Sequence, residues 1–439
     1  MRPSRKTPGR SVVGTSKPRL GQLLGPGLVT GAADDDPSGI ATYAQAGAQY
    51  AFRLGWTLLL TYPLMVVIQG ISARVGRTTG AGIAGNLRRH YPGWILHSVV
   101  ALLLLANTLN IGADLAAMAE ASRLLVPAPA GWLYVLGYGA VTTLGQILLS
   151  HTRYVAVLKW LTLSLFAYFA TLCVVHVPWR DFFIGLVWPR FSMDRDFWLT
   201  VVAILGTTIS PYLFFWQAAQ EVEDTKAQPV EQPLLRKPAQ GPGALARIRL
   251  DTLIGMAVSN LVALAILVTA ASTLHRAGIH EVASAAQAAE ALRPLAGKGA
   301  FVLFALGIVG TGLLSIPVLA GSAAYALGEA RKWPVGLARQ PLQAKAFYAT
   351  IALATFLGAG ANLVALSPVK ALIWAAVING IVAVPVMALL MLMSARQDIM
   401  GQFRISTAAR TVGWVATIVM ATAAAFFILL SVWVPQGPD

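Results

Sequence analysis

Long apolar runs separated by short polar stretches fill the chain from about residue 23 to its end. A helix needs about 20 apolar residues to cross the ~30 Å of hydrocarbon in a bilayer. Eleven runs reach that length, so the pattern predicts an all-α membrane protein with 11 transmembrane helices. The predicted spans are residues 23–52, 56–73, 94–125, 131–150, 154–177, 197–219, 252–274, 299–329, 346–366, 369–395 and 411–434.

The first run is interrupted by a polar stretch near its middle. The interruption consists of three acids and a turn-forming triplet: Asp34, Asp35, Asp36, Pro37, Ser38 and Gly39. One Asp at the centre of a spanning helix costs about 3 kcal/mol, and Pro and Gly both interrupt helical geometry. The sequence therefore predicts a helix broken at mid-membrane, with carbonyls and carboxylates that face a cavity rather than lipid.

The sixth run contains a second interruption, in which Thr207 and Ser210 precede Pro211. The two breaks lie at corresponding places if spans 1–5 and 6–10 are copies of one unit, at 23–177 and 197–395. Copies of five spans are inserted with opposite orientations. Paired breaks in inverted repeats are typical of transporters that bind substrate between the repeats, so we predict a 5+5 inverted-repeat fold with an additional span at 411–434.

Four further polar side chains lie deep within predicted spans. Asn107, Asn110 and Asp114 lie in the third span at spacings of three and four residues, and Asn379 lies in the tenth. A polar seam between packed helices explains the Asn residues as well as a transport pathway does. An ionisable group at the depth of Asp114 indicates a functional site.

Composition and charge agree with a membrane protein, since 56% of the residues are hydrophobic and 12% are charged. The net charge of +15 does not indicate nucleic-acid binding, because the basic residues are scattered among the segments between the apolar runs. Their distribution predicts a cytoplasmic amino terminus, with a basic tail at 1–22, and an external carboxyl terminus. The Pro- and Gly-rich stretch at 225–248 predicts a flexible cytoplasmic linker, and 276–298 predicts a short external helix.

These motifs resemble those of the NRAMP divalent-metal transporters, which share the inverted-repeat architecture of sodium-coupled amino-acid symporters. The family typically shows DPGN in the first span, where Asp and Asn ligate metal. This chain reads DPSG, with Asp36 at the Asp position and Gly39 at the Asn position. The family's ATVMPH in the sixth span corresponds to TTISPY here. Thr207 stands at the Ala position, Ser210 replaces the metal-binding Met, and Tyr212 replaces the His linked to proton movement.

The resemblance implies a metal site, and the departures from the family pattern favour a hard ion. A thioether ligand favours transition metals, whereas Mg²⁺ keeps much of its water and takes one or two carboxylates. In the third span the family offers DLAE as a proton route. This chain keeps the Asp as Asp114 but has Ala117 in place of Glu, and the loss favours uncoupled transport. We therefore expect uncoupled, alternating-access transport of Mg²⁺, and also of Mn²⁺, as in the NRAMP-related magnesium transporters. The expected metal-site residues are Asp36, Asp35, Gly39, Thr207 and Ser210, and the expected pathway residues are Asp34, Ser38, Asp114, Tyr212 and Asn379.

Three alternatives follow from the same residues. The first is a proton-coupled Mn²⁺/Fe²⁺ symporter of the ordinary NRAMP type, disfavoured by Ser210 in place of the soft ligand. The second is sodium-coupled uptake of an organic substrate, for which three acids are poor partners of a substrate carboxylate. The third is an intramembrane aspartyl protease using Asp36 and Asp114, although no GxGD-like motif is present. We expect no enzymatic activity and no cofactor, and we expect a bacterial inner-membrane location.

Overall fold

The computed structural model describes residues 26–126, 130–148, 166–228, 230–362 and 367–433, and this part of the chain is helical with no β-strand. In the first half the helices are α1 (Pro26–Asp34), α2 (Pro37–Tyr50), α3 (Gly55–Thr79), α4 (Ile83–His90), α5 (Gly93–Arg123), α6 (Gly131–Leu148), α7 (Phe166–Val174) and α8 (Trp179–Val187). The remaining helices are α9 (Arg195–Thr208), α10 (Pro211–Ala227), α11 (Gly241–Thr273), α12 (Ala285–Glu290), α13 (Arg293–Ala296), α14 (Ala300–Arg331), α15 (Lys345–Ala361), α16 (Pro368–Ala395), α17 (Gln397–Met400) and α18 (Thr407–Trp433).

Seven helical segments in the described ranges are long and apolar enough to cross a membrane. The first predicted span, divided into α1 and α2, is not one of these seven, and the ninth, α15, is a shorter apolar helix. The all-α membrane class is thus confirmed, while the count of eleven spans stays a prediction. The basic tail at 1–22 and the first half of the fifth span, at 154–165, lie outside the described residues.

Both predicted helix breaks are confirmed, and each is followed by a helix that begins at proline. Asp36 is the N-cap of α2 with Pro37 in its first turn, and Ser210 is the N-cap of α10 with Pro211 in the same place. Proline suits this position because the first turn of a helix leaves its N–H groups without intrahelical partners. The local sequence therefore explains why each span stops and restarts at this point.

Helix α11 packs along both halves of the first span and fixes their positions. The Gly27 N–H at the start of α1 donates to Oδ2 of Asp251 at 2.7 Å. A Cβ atom on Gly31 would overlap the backbone of Gly255, and one on Gly47 in α2 would lie 2.9 Å from Cβ of Ala270. Small residues allow membrane helices to approach this closely, so α1 and α2 share one rigid partner.

The connection predicted as a flexible linker at 225–248 is shorter and more firmly held than expected. Helices α10 and α11 take in both of its ends, which leaves a loop at 228–240. The buried guanidinium of Arg77, near the end of α3, pairs with Glu231 at 3.0 Å. Leu234 is fully buried, and its N–H donates to the carbonyl of Arg77 at 3.2 Å. A buried cation needs acceptors, and the loop supplies them, so these contacts hold the loop to α3, while its role as a cytoplasmic linker stays a prediction.

The segment at 276–298, predicted as one short helix, contains the two short helices α12 and α13. Its N–H groups bind side chains at the ends of the first and third spans. Val282 donates to Oε1 of Gln45 at 2.7 Å, and Ala285 donates to Oε1 of Glu120 at 2.9 Å. The segment therefore covers the predicted external ends of α2 and α5.

Candidate metal-binding site

Asp36 lies at the first helix break and joins three helices through its two carboxylate oxygens. Its Oδ1 accepts from the Ser38 hydroxyl at 2.5 Å and from the Gly39 N–H at 2.8 Å, which caps α2. Its Oδ2 accepts from Nδ2 of Asn110 on α5 at 3.0 Å and lies 3.5 Å from the Tyr212 hydroxyl on α10. The side chain is only 2% exposed, so this carboxylate is buried.

At the second break, hydroxyl groups satisfy carbonyls that the interruption frees. The Ser210 hydroxyl donates to the carbonyl of Gly206 at 2.5 Å and lies 3.0 Å from the carbonyl of Thr207. The Thr207 hydroxyl lies 2.9 Å from the Tyr43 hydroxyl on α2, which links the two breaks directly. Ser210 and Thr207 are thus close to the first break, but their hydroxyls are already engaged.

The three consecutive acids do not converge on one point. Ser259 on α11 donates to Oδ2 of Asp34 at 2.5 Å and lies 3.3 Å from Oδ1 of Asp35. Asp36 instead contacts α5 and α10. Asp34 therefore pairs with another span, and Asp35 shares its partner rather than lying beside Asp36 in one cluster.

The remaining predicted pathway residues are buried polar groups with incomplete hydrogen bonding. Oδ2 of Asp114 accepts from the Ser315 hydroxyl at 2.9 Å, and its Oδ1 has no partner among the described residues. Asn379 on α16 is buried, and neither atom of its amide has a partner within the same ranges. Asn107 donates to the Leu319 carbonyl and the Ser322 hydroxyl, both at 2.8 Å, so the polar-seam interpretation fits that residue.

Four buried carboxylates at the centre of the fold lack a basic partner. Asp34, Asp35, Asp36 and Asp114 are each at most 3% exposed, and none forms an ion pair within the described part of the chain. Ionised groups away from water are strongly unfavourable unless they are paired or bind a metal. The arrangement therefore attracts a cation.

The described residues contain no group of three or more His, Cys, Asp or Glu side chains placed to hold a metal ion. A metal at Asp36 must therefore complete its shell with amide, hydroxyl, backbone carbonyl or water oxygens. Asn110 offers such an atom, since its Oδ1 is buried and has no partner in the described ranges. Its spacing along the chain is the one signal for it, since Asn110 is one helical turn from Asp114, on the same face of α5.

Glycine in place of the family's Asn leaves no open space beside position 39. A Cβ atom on Gly39 would lie 3.3 Å from Cε2 of Tyr43 and 3.5 Å from the carbonyl oxygen of Asp34. The Tyr43 ring therefore fills the space beside the glycine. The sequence could not show this, because Tyr43 is one turn further along the same helix and its ring could have pointed elsewhere.

Comparison with known proteins shows a single family over nearly the whole chain. The family model described as natural resistance-associated macrophage protein-like matches residues 27–430. A protein of Ralstonia nicotianae named divalent metal cation transporter MntH is 30% identical over 308 residues, covering 67% of this chain and 66% of that protein. A protein of the same name from Deinococcus radiodurans is 25% identical over 424 residues, covering 94% and 91%.

Solved structures show the same fold. The crystal structure of the Eremococcus coleocola manganese transporter, in complex with an aromatic bis-isothiourea compound, superposes with a TM-score of 0.72 at 16% identity, covering 98% of this chain and 91% of that one. Mhp1, a nucleobase-cation-symport-1 family transporter, superposes with a TM-score of 0.56 at 12% identity, covering 93% and 91%. The predicted transporter architecture is therefore confirmed at the level of the fold.

Proposed function

Because the chain belongs to the natural resistance-associated macrophage protein-like family, we propose that this integral membrane protein carries divalent metal cations across the bilayer. The observation that carries the proposal is the position of Asp36. This buried carboxylate lies between the two broken helices, without a basic partner in the described residues, and contacts Asn110 and Tyr212. A hard or borderline dication is the kind of ligand that such oxygen donors attract.

The cation would meet Oδ2 of Asp36, because Oδ1 is engaged in capping α2. To make room, the amide of Asn110 rotates so that Oδ1 replaces Nδ2 and turns towards the metal. The change exchanges one hydrogen bond for a metal contact and uses the amide oxygen that has no partner. Asn110 thus supplies, from α5, the type of ligand that Gly39 cannot supply from α2. The Tyr212 hydroxyl and the carbonyl of Ala33, which are 3.1 Å apart, are available as further oxygens.

Mn²⁺ is the cargo that the comparisons support over the Mg²⁺ preference expected from the sequence. The named relatives are divalent metal cation transporters, and the Eremococcus protein is a manganese transporter. An oxygen-only site does not exclude Mn²⁺, since carboxylate, carbonyl and water ligands suit Mn²⁺ as well as Mg²⁺. The argument from the missing thioether at Ser210 therefore disfavours late transition metals more than it disfavours manganese.

Proton-coupled transport, the first alternative inferred from the sequence, fits the family better than uncoupled Mg²⁺ movement. Asp114, at the position that the resemblance connects with proton movement, is retained and buried, with one oxygen unpartnered among the described residues. A dication also gains about 4.6 kcal/mol per 100 mV of membrane potential, from roughly 2.3 per charge, so inward movement is favourable without protons. Coupling must therefore be measured directly.

The test is metal flux into vesicles that contain the purified full chain and an internal pH indicator. We expect saturable Mn²⁺ uptake, with acidification of the lumen in proportion to the metal that enters. Equal Mn²⁺ entry with and without protein would refute the transport proposal. Mn²⁺ uptake at constant internal pH would support metal transport and reject proton coupling. Preferential Mg²⁺ uptake would support the selectivity expected from the sequence instead.

A further inference from the structure

A second site, remote from Asp36, lies where α3 ends and where α11 and α18 begin. A cavity of about 650 Å³ opens there between these three helices. Helix α3 packs against both α11 and α18, so it forms the floor of the cavity. Nothing in the proposed transport of metal uses this space.

One end of the cavity is basic and polar. Arg74 and Arg249 line it, together with Thr252 and Ser406, and its lining contains no acidic residue. Arg249 is exposed and has no ion pair or hydrogen bond within the described ranges. Arg74 donates from Nε to the Phe403 carbonyl at 2.8 Å, which holds the guanidinium in place. The hydroxyl of Thr252 is buried, lines this same cavity and has no partner among the described residues.

The other end is apolar and open. Val66, Val67 and Val412 line it. Gly70 lies on the same wall, and a Cβ atom there would meet no atom within 4 Å. An apolar wall beside two guanidinium groups matches neither a free inorganic anion, which needs no apolar surface, nor the metal cargo, which arginine repels.

We propose that this cavity binds the phosphate headgroup of an anionic phospholipid, with an acyl chain along the valine wall. Guanidinium groups bind phosphate through N–H donors, and the unpartnered Thr252 hydroxyl supplies a third donor group beside the two arginines. Basic pockets between membrane helices on the cytoplasmic side are suited to anionic headgroups. The cavity lies at the predicted cytoplasmic face, where the sequence places the ends of these helices.

The test measures binding of phosphatidylglycerol and of phosphatidylcholine to the purified full chain in a neutral detergent. We expect the wild type to prefer phosphatidylglycerol, and Arg249→Gln to weaken that binding about fivefold, the effect of one surface cation. Arg331→Gln is the matched control, since Arg331 is exposed at the end of α14 and outside the cavity lining.

A second pair of variants tests the apolar wall without changing charge. Gly70→Leu fills the cavity and is expected to reduce phosphatidylglycerol binding at least as much as Arg249→Gln. Gly137→Leu is its control, because Gly137 on α6 also has open space around it but lies elsewhere.

Equal binding of the two lipids by the wild type, or equal losses in variants and controls, would overturn the proposal. Displacement of the lipid by inorganic phosphate alone would assign the site to a free anion instead. Because the experiment measures lipid binding, failure of the lipid-site proposal would leave the metal-flux result unaffected.

Discussion

The two helix breaks share a backbone plan but differ in chemistry. Each restarts at a proline preceded by an N-cap residue, Asp36 in one and Ser210 in the other. The first break holds three carboxylates, and the second holds hydroxyls that donate to its own freed carbonyls. Of the two breaks, only the first therefore contributes carboxylates, while the second contributes neutral oxygens.

This asymmetry teaches that the breaks have separate roles. On the proposed function, we expect a carboxylate at the first break to provide most of the attraction for a dication, because charge interactions are strong in a site that excludes water. We expect the second break to influence which uncharged atoms complete the shell, and so to affect selectivity more than affinity. Variants at each break should separate these two effects.

The largest effect is expected for Asp36→Asn. Asparagine caps a helix as well as aspartate does, so α2 should still form, whereas the charge that attracts the cation is lost. We expect Mn²⁺ uptake by vesicles to fall by more than about 100-fold, beyond the range typical of residues that only support a metal ligand. Circular dichroism of the purified variant checks the fold. A folded Asp36→Asn protein with native uptake would remove the charge argument from the first break.

A smaller effect is expected for Asn110→Ala. This change removes the amide oxygen that we assign to the metal and leaves Asp36 ionisable. Mn²⁺ uptake should weaken by roughly 10-fold, mainly through a higher half-saturating concentration. Asn107→Ala is the matched control on the same helix, because Asn107 contacts α14 rather than Asp36. If both variants behave alike, Asn110 has only a packing role.

The smallest effect on overall transport is expected for Ser210→Met. A thioether at this position should raise the preference for Cd²⁺ over Mn²⁺ by several-fold, since soft ligands favour soft metals. The Mn²⁺ rate itself should change little, because the Ser210 hydroxyl donates to backbone carbonyls. The measurement is competition of Cd²⁺ with Mn²⁺ uptake. An unchanged ratio would show that the side chain at 210 does not reach the cargo.

The sequence predicted local features well and distant contacts poorly. Pro37 and Pro211 located both breaks, because proline acts on the backbone of its own neighbourhood. The contact of Asn110 with Asp36 joins residues 74 positions apart, and helical spacing alone could not choose between a polar seam and a ligand. The docking of the 228–240 loop was missed for a related reason, since composition gives no sign that Arg77 is buried and requires acceptors.

The way Asp36 caps α2 limits how it can hold a cargo. One oxygen stays committed to the Ser38 hydroxyl and the Gly39 N–H for as long as the helix keeps its first turn. We therefore expect this carboxylate to bind a cargo ion through Oδ2 alone, so that a six-coordinate ion would take its five other donors from neutral oxygens or water. In a carrier of this design, releasing the ion would require breaking one charged contact, and the helix cap would stay intact.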